Sequence, residues 1–245
     1  MASLAELPAS FADTRDSLQR VAVHIVARAR NQGGAHSIGL RVTPGGFGTP
    51  DFGPDVSRVR VSGGLLLSEV GGPDTVTSVA TEIDGATLAS LARVAGVDLA
   101  ADLDVGHDTP SIGDIDEPLR IDVAAARALA GWYAKTNAAL DHVVAAAGTD
   151  AAPTLVQLWP EHFDAALDLA VAPDIRANLG GSPGDGFSAE PYLYVGPWTA
   201  DRPGDPGFWN APFGAVLGYA ALAAEPDPVA AAASFFLEGI GRFAG

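Results

Sequence analysis

Apolar residues recur at helical spacing in four stretches of the chain, and helix start or stop signals bound these stretches. In the first stretch, Leu18, Val21 and Ile25 fall on one face, and an Asn-Gln-Gly-Gly sequence follows. In the longest stretch, Asp122 stands at the N-cap position and Gly148 follows the last periodic residue. The pattern predicts helices over 9–30, 84–94, 122–147 and 227–242.

Between these helices lie short strand-like runs, separated in the N-terminal half by Gly-rich and Pro-containing turns, which is typical of an antiparallel meander. The predicted strands are 37–43, 56–61, 65–70 and 76–81 in the N-terminal half, and 154–159, 165–171, 191–196 and 213–221 in the C-terminal half. The predicted fold class is α+β, with one or two antiparallel sheets backed by three to four helices.

The order of helix, turn, strands and helix occurs twice along the chain, which suggests an internal duplication. A shift of 116 residues places Pro44 on Pro160 and Phe47 on Phe163. A cleft between two such halves would be a common place for a ligand. The predicted organisation is a single α+β unit over 1–245, with pseudo-repeat halves 9–98 and 122–245 joined by an acidic loop at 99–121.

The charge and composition narrow the class of function. The 245 residues carry 30 acidic and 14 basic side chains, a net charge of −16, and this acidity disfavours binding to nucleic acid. The absence of cysteine excludes disulfides, thiolate zinc sites and cysteine nucleophiles. No apolar run approaches the roughly 20 residues that cross a bilayer, and no signal peptide is visible. We therefore expect a cytoplasmic protein that does not enter the membrane.

Large aromatic residues are scarce in this alanine-rich chain and concentrate in its C-terminal half. In Tyr192-Leu-Tyr194 the two phenols share one face of a predicted strand, which fits core packing or a stacking wall for a flat ligand. The residues predicted to line a small-molecule site are Trp159, Tyr192, Tyr194 and Trp198.

A second candidate site lies in the sequence Trp-Pro-Glu-His-Phe-Asp at 159–164. If this segment is extended, His162 and Asp164 share a face about 7 Å apart, and the carboxylate would orient the imidazole as a general base. Asp185 could add oxygen ligands, so that the three side chains would hold a divalent cation. The alternative is that His162 and Asp164 satisfy each other or nearby backbone groups. His107, in the acidic loop, is a further catalytic candidate.

Three standard sites are disfavoured by the sequence. The glycine-rich segment 180–186 lacks a following lysine, and Asp185 would repel a phosphate, so the segment is interpreted as an ordinary turn between strands. No Gly-x-Ser-x-Gly elbow occurs, and Glu161-His162 does not form a His-Glu-x-x-His zinc motif.

Several short motifs follow one another along the chain: TRDSLQ (14–19), VTPGGFGT (42–49), HDT (107–109), RIDVAAARALAGWY (120–133), LWPEHFD (158–164), GSPGD (181–185) and EPYLYVGPW (190–198). In this order they resemble the motifs of a bacterial family, found mainly in actinobacteria, whose domain has no known function. The chain looks like a divergent member, because it carries Ser182 where the family tends to have an aromatic residue. The resemblance implies a single-unit fold, and it points to no particular activity, cofactor or catalytic residue.

Two classes of function follow. The first is a non-catalytic protein that binds a small ligand or a partner through an aromatic-lined cleft, and it is favoured because no complete nucleophile–base pair or metal set can be assembled. The alternative is a cation-assisted or acid–base enzyme that uses His162 with Asp164 and Asp185. A homodimer formed through an apolar helix face is compatible with either class.

Overall fold

The computed structural model describes residues 3–35, 37–72, 75–103 and 109–243. The chain folds into two compact units. The N-terminal unit comprises Glu6–Gly131 and the short segment Leu158–Phe163. The C-terminal unit comprises the residues up to Ala5, Trp132–Gln157 and the chain from Asp164 onward.

The N-terminal unit begins with a long helical run. Helix α1 (Phe11–Val21) continues as a π-helical segment (Ala22–Ala27) and as α2 (Arg28–Arg30), and the run ends in a turn at Asn31–Ala35. All six residues of the π-helical segment are buried, because the apolar stripe predicted from the sequence widens there to the whole circumference.

The first sheet is an antiparallel meander in which neighbouring strands along the chain pair with each other. Helix α3 (Leu88–Ala95) follows it and starts at a capping box, in which Thr87 and Ser90 each bind the other's backbone N–H. The strands are β1 (Arg41–Thr43), β2 (Gly46–Gly48), β3 (Ser57–Ser62), β4 (Leu65–Val70) and β5 (Thr77–Glu82).

Helix α4 (Val123–Ala147) starts in the N-terminal unit and continues into the C-terminal unit. Asp122 caps it by accepting the backbone N–H groups of Ala124 and Ala125, as predicted. The second sheet is also a sequential antiparallel meander, and helices α5 (Tyr219–Ala223) and α6 (Pro228–Gly241) follow it. Its strands are β6 (Gln157–Trp159), β7 (Asp164–Ala172), β8 (Ile175–Ser182), β9 (Tyr192–Pro197) and β10 (Ala215–Gly218).

The predicted fold class is confirmed. The described residues form two five-stranded antiparallel sheets and, with the continuous run from α1 to α2 counted as one helix, five helices, in two similar halves. The shift of 116 residues carries β1 (41–43) onto β6 (157–159), so the first strands of the two sheets coincide in sequence position. The domain boundaries drawn from the sequence stay a prediction. None of the described helices is long and apolar enough to cross a membrane.

Three local predictions are wrong. Strand β2 was not predicted, because its two glycines favour a turn. In the structure these residues form a strand, and Phe47 is fully buried. Residues 180–182 belong to β8 rather than to a turn, because their glycines pack closely against neighbouring side chains. The C-terminal end of the predicted strand 213–221 is helical from Tyr219 onward.

Part of the acidic loop is held by three side chains of the long helix. Arg20 donates to the carbonyl groups of Ile112 and Asp114, and Arg28 donates to that of Ala101. Between them, His24 Nε2 lies 3.0 Å from the carbonyl oxygen of Pro110, which fixes the neutral tautomer with its proton on Nε2.

Burial lowers the pKa of His24 below its ordinary value, and the nearby charges of Arg28 and Arg20 lower it further against the opposing bond to Pro110. His24 is 4% exposed, and its Nδ1 has no hydrogen-bond partner among the described residues. A second proton would therefore create a buried donor with nothing to accept it.

We predict that acid destabilises the fold through His24. Below pH 6.5, His24 is protonated in the unfolded chain but stays neutral in the folded chain, because its pKa is lowered by folding. The free energy of unfolding therefore falls as the pH falls, by at most about 1.4 kcal/mol per pH unit. His24→Gln should show a shallower decline than wild type in urea unfolding between pH 7.5 and 5.5. His142→Gln, at an exposed helix position, is the matched control and should follow wild type. Parallel pH profiles for wild type and His24→Gln would contradict this account.

Candidate functional site

The sequence around His162 forms a turn and not a strand, so the assumed extended conformation is wrong. Strand β6 ends at Trp159, whose carbonyl oxygen accepts the N–H of Phe163 at 2.7 Å. Phe163 has a positive φ of 57°, a conformation that costs a bulky residue about 1–3 kcal/mol. Its fully buried ring, which meets Phe47 edge-on with a centroid distance of 5.2 Å, offsets that cost.

The two residues that the sequence grouped differ in their exposure to solvent. His162 is exposed and belongs to the N-terminal unit, whereas Asp164 is 7% exposed and opens β7 in the C-terminal unit. Their alternation on one face of a strand does not occur, because Pro160 starts a turn.

Within the C-terminal unit, Asp164 and Asp185 each bind a tyrosine hydroxyl. Tyr194 donates to Asp164 Oδ2, and Tyr192 donates to Asp185 Oδ2 at 2.6 Å. The hydroxyl of Ser182, at the end of β8, lies 3.2 Å from the same Asp185 oxygen. The two acids named in the metal hypothesis are thus bound to the two tyrosines named in the ligand hypothesis.

The electrostatics of this cluster keep both phenols protonated. Burial raises the pKa of Tyr192 well above its ordinary value, and the bond to Asp185 raises it further. Burial also raises the pKa of Tyr194, with the negative charge of Asp164 adding to the effect. Both hydroxyls therefore act as hydrogen-bond donors to carboxylates, and neither is suited to accept a proton near neutral pH.

Two glycines of β8 make room for this cluster. A methyl group on Gly180 would lie 2.6 Å from the Tyr194 hydroxyl oxygen and 2.8 Å from the Ala166 Cβ. One on Gly181 would lie 2.6 Å from the Thr136 Oγ1 of helix α4. The glycine-rich sequence thus serves close packing under the tyrosines.

The geometry does not add support for a metal site. In the ranges that the structure describes, no group of three or more His, Asp or Glu side chains is placed so that it could hold a metal ion. The set of His162, Asp164 and Asp185 therefore stays a prediction made from the sequence. His107 lies outside the described residues.

Of the four predicted ligand-contacting aromatics, Trp198 presents the largest free surface. Tyr192 is buried, and Tyr194 and Trp159 are half-buried, with Trp159 in the N-terminal unit. Trp198 is 61% exposed. Its indole N–H donates to Asn178 Oδ1 at 2.8 Å, and the Arg176 guanidinium lies 5.9 Å from its ring centroid. These contacts hold an exposed ring in a fixed orientation.

Trp198 borders a pocket of about 490 Å³ in the C-terminal unit. Its charged lining residues are Arg176 and Asp174. Arg176 is engaged by Asp168 in an ion pair of 2.5 Å, whereas the exposed Asp174 carboxylate has no hydrogen bond or ion pair within the described residues. The lining residues are Ala170, Asp174, Ile175, Arg176, Trp198 and Thr199.

Sequence reasoning missed Asp174, Arg176 and Asn178. Asp174 occupies the turn between β7 and β8 with a φ of 60°, and the sequence Ala-Pro-Asp at 172–174 was a usable turn signal. Arg176 and Asn178 alternate on β8 and contact Trp198, which directly follows β9. This pairing could not be predicted, because β8 itself was not recognised.

A second exposed aromatic group lies in the same unit. Phe187 is 50% exposed, and its ring meets those of Tyr192 and Phe213 at centroid distances of 5.4 and 5.0 Å. It covers Tyr192 and does not line the pocket beside Trp198.

No known protein family, curated protein or solved structure matches the chain. The resemblance to an actinobacterial family of unknown function accordingly stays a prediction, and the candidate site depends on geometry alone.

We predict that Gly180→Ala lowers the free energy of unfolding by about 1–3 kcal/mol, because the added methyl group forces Tyr194 or Ala166 to move. Gly186→Ala is the matched control, since nothing lies within 4 Å of the added carbon and its φ is not positive. Thermal or urea unfolding of the two variants measures the difference. Equal stabilities would mean that the tyrosine–carboxylate cluster is not closely packed against β8.

Proposed function

We propose that this protein is a non-catalytic binder of a small, flat aromatic ligand, which stacks on Trp198. The observation that carries the proposal is the fixed, 61% exposed indole ring at the border of a pocket. An exposed tryptophan that is already held by a hydrogen bond and a guanidinium loses little side-chain entropy when a ligand arrives.

The charge around the pocket favours a cationic ligand. Arg176 is neutralised by Asp168, so Asp174 supplies the unmatched charge of the lining. Asp150 adds a second carboxylate at an adjoining pocket that also includes Asp174. A cation is also attracted by the face of an indole ring. The ligand class is therefore a flat aromatic cation.

The contacts of Asp164 and Asp185 favour binding over catalysis. Both carboxylates accept tyrosine hydroxyls whose pKa values are raised, so these four groups are committed to one another. None of the observations on the described residues favours the alternative of a cation-assisted or acid–base enzyme.

We predict that the cationic probe tryptamine binds the protein more tightly than neutral indole, and that the anionic probe indole-3-acetate does not bind measurably in isothermal titration calorimetry. Trp198→Ala should weaken tryptamine binding at least tenfold, because a stacked cation on a desolvated ring contributes about 2 kcal/mol. Phe187→Ala, which removes an exposed aromatic ring of the same unit, is the matched control and should bind like wild type.

Asp174→Asn tests the charge separately. Asparagine tolerates the positive φ of this position, so the turn should be retained. The variant should lose most of the preference for tryptamine over indole while still binding both. Equal binding of tryptamine by wild type and Trp198→Ala, or tighter binding of the anionic probe, would overturn the proposal.

A further inference from the structure

The outer edge of strand β5 is an open sheet edge. Beyond the ladder that joins β5 to β4, the N–H of Ile83 donates to the carbonyl oxygen of Gly64, which lies directly opposite in the same register. Backbone bonding alternates along an antiparallel pair, so Thr81, Val79 and Thr77 also bond inward to β4. The N–H and C=O groups of Ser78, Ala80 and Glu82 therefore point away from the sheet. Nothing in the described chain binds them.

The other outer strands are short or covered. Strand β1 has three residues. In β10, the side-chain amide of Asn210 binds both the N–H and the C=O of Val216. In β6, the backbone groups of Leu158 pair with those of Leu40. Natural sheets commonly shorten or cover their edge strands in such ways. Strand β5 differs, because it has six residues and its outward backbone groups have no partner in the described chain.

The sequence of β5 lacks the usual protection against pairing. Residues 75–81 (TVTSVAT) carry no charge, no proline and no glycine, and they are rich in β-branched residues. Five of the six residues of β5 are exposed, and Val79 is 54% exposed. Leu65, Val70 and Val76 add further exposed apolar surface to the same hairpin.

We propose that β5 pairs with β5 of a second copy of the chain, in antiparallel orientation about a twofold axis at Val79. In this register Val79 faces its counterpart in a non-hydrogen-bonded pair, where side chains are closest, and Ser78 exchanges backbone bonds with Ala80 of the second copy. The two Glu82 side chains lie six residues apart along the ladder, about 20 Å, which exceeds the Debye length at physiological salt.

Charge supports a second copy as the partner. A chain with a net charge of −16 associates with itself most easily through a surface that carries no charge, and residues 75–81 supply one. The pairing is also closed, because both copies use the same edge about a twofold axis, so it stops at a dimer and does not extend into a filament. The repulsion between two acidic chains makes this dimer stronger at higher salt.

The test uses the full chain in analytical ultracentrifugation over a range of concentrations. We expect a monomer–dimer equilibrium whose dissociation constant falls when the NaCl concentration rises from 0.05 to 0.5 M. Val79→Lys and Val79→Glu should each be monomeric at concentrations where wild type is dimeric, and an equimolar mixture of the two should restore a dimer. Leu155→Lys and Leu155→Glu, at a more exposed apolar position, are the matched controls and should dimerise like wild type.

Ala80→Pro gives an independent check, because it removes an outward N–H that has no partner among the described residues. It should abolish the dimer while the thermal unfolding of the monomer changes little. A wild type that stays monomeric throughout, or a dimer that survives Val79→Lys and Ala80→Pro, would overturn the proposal. If Val79→Lys and Val79→Glu are folded monomers but their mixture does not dimerise, the proposed register centred on Val79 is wrong.

Discussion

The C-terminal unit depends on hydrogen bonds between two tyrosine hydroxyls and two carboxylates, of which Asp164 is buried and Asp185 is exposed. An ionised carboxylate away from water is costly unless it accepts hydrogen bonds, and Tyr194 donates one to the buried Asp164. A buried hydroxyl likewise needs an acceptor, and the exposed Asp185 provides one for Tyr192. This requirement fixes the positions of the phenols on β9. It also explains Gly180 and Gly181 on β8, since larger residues would occupy the space of Tyr194 and Thr136.

The same constraint decides which aromatic residue is available to a ligand. Tyr192 and Tyr194, which the sequence predicted to line a cleft, are hydrogen-bonded to carboxylates instead. Phe187 also covers Tyr192 on its outer side. Trp198 differs because its polar atom is bound by Asn178 at the ring's edge, which leaves the ring itself exposed. Which aromatic rings are buried and which are exposed therefore depends on the position of the group that hydrogen-bonds to the hydroxyl or indole N–H of each ring.

The sequence predicted the fold class and most of the elements, because their signals are local. Asp122 and Asp227 marked the starts of α4 and α6 through side chains that cap the helices in the structure. The sequence could not predict β8, because its glycines have no β preference of their own and are required by side chains distant in sequence. It could not predict the partners of Asp164 and Asp185 either, since pairing across β7, β8 and β9 depends on a register that alternation within one strand does not specify.

The central claim is that the exposed Trp198 ring, and not the buried aromatic cluster, receives the ligand. NMR of the four tryptophan indole N–H groups during a tryptamine titration tests it most directly, after the Trp198 resonance has been assigned by substitution. The account predicts that the Trp198 signal shifts progressively to saturation while that of the buried Trp132 stays in place. A Trp132 shift with an unmoved Trp198 signal would contradict it, because the ligand would then enter the interior of the C-terminal unit.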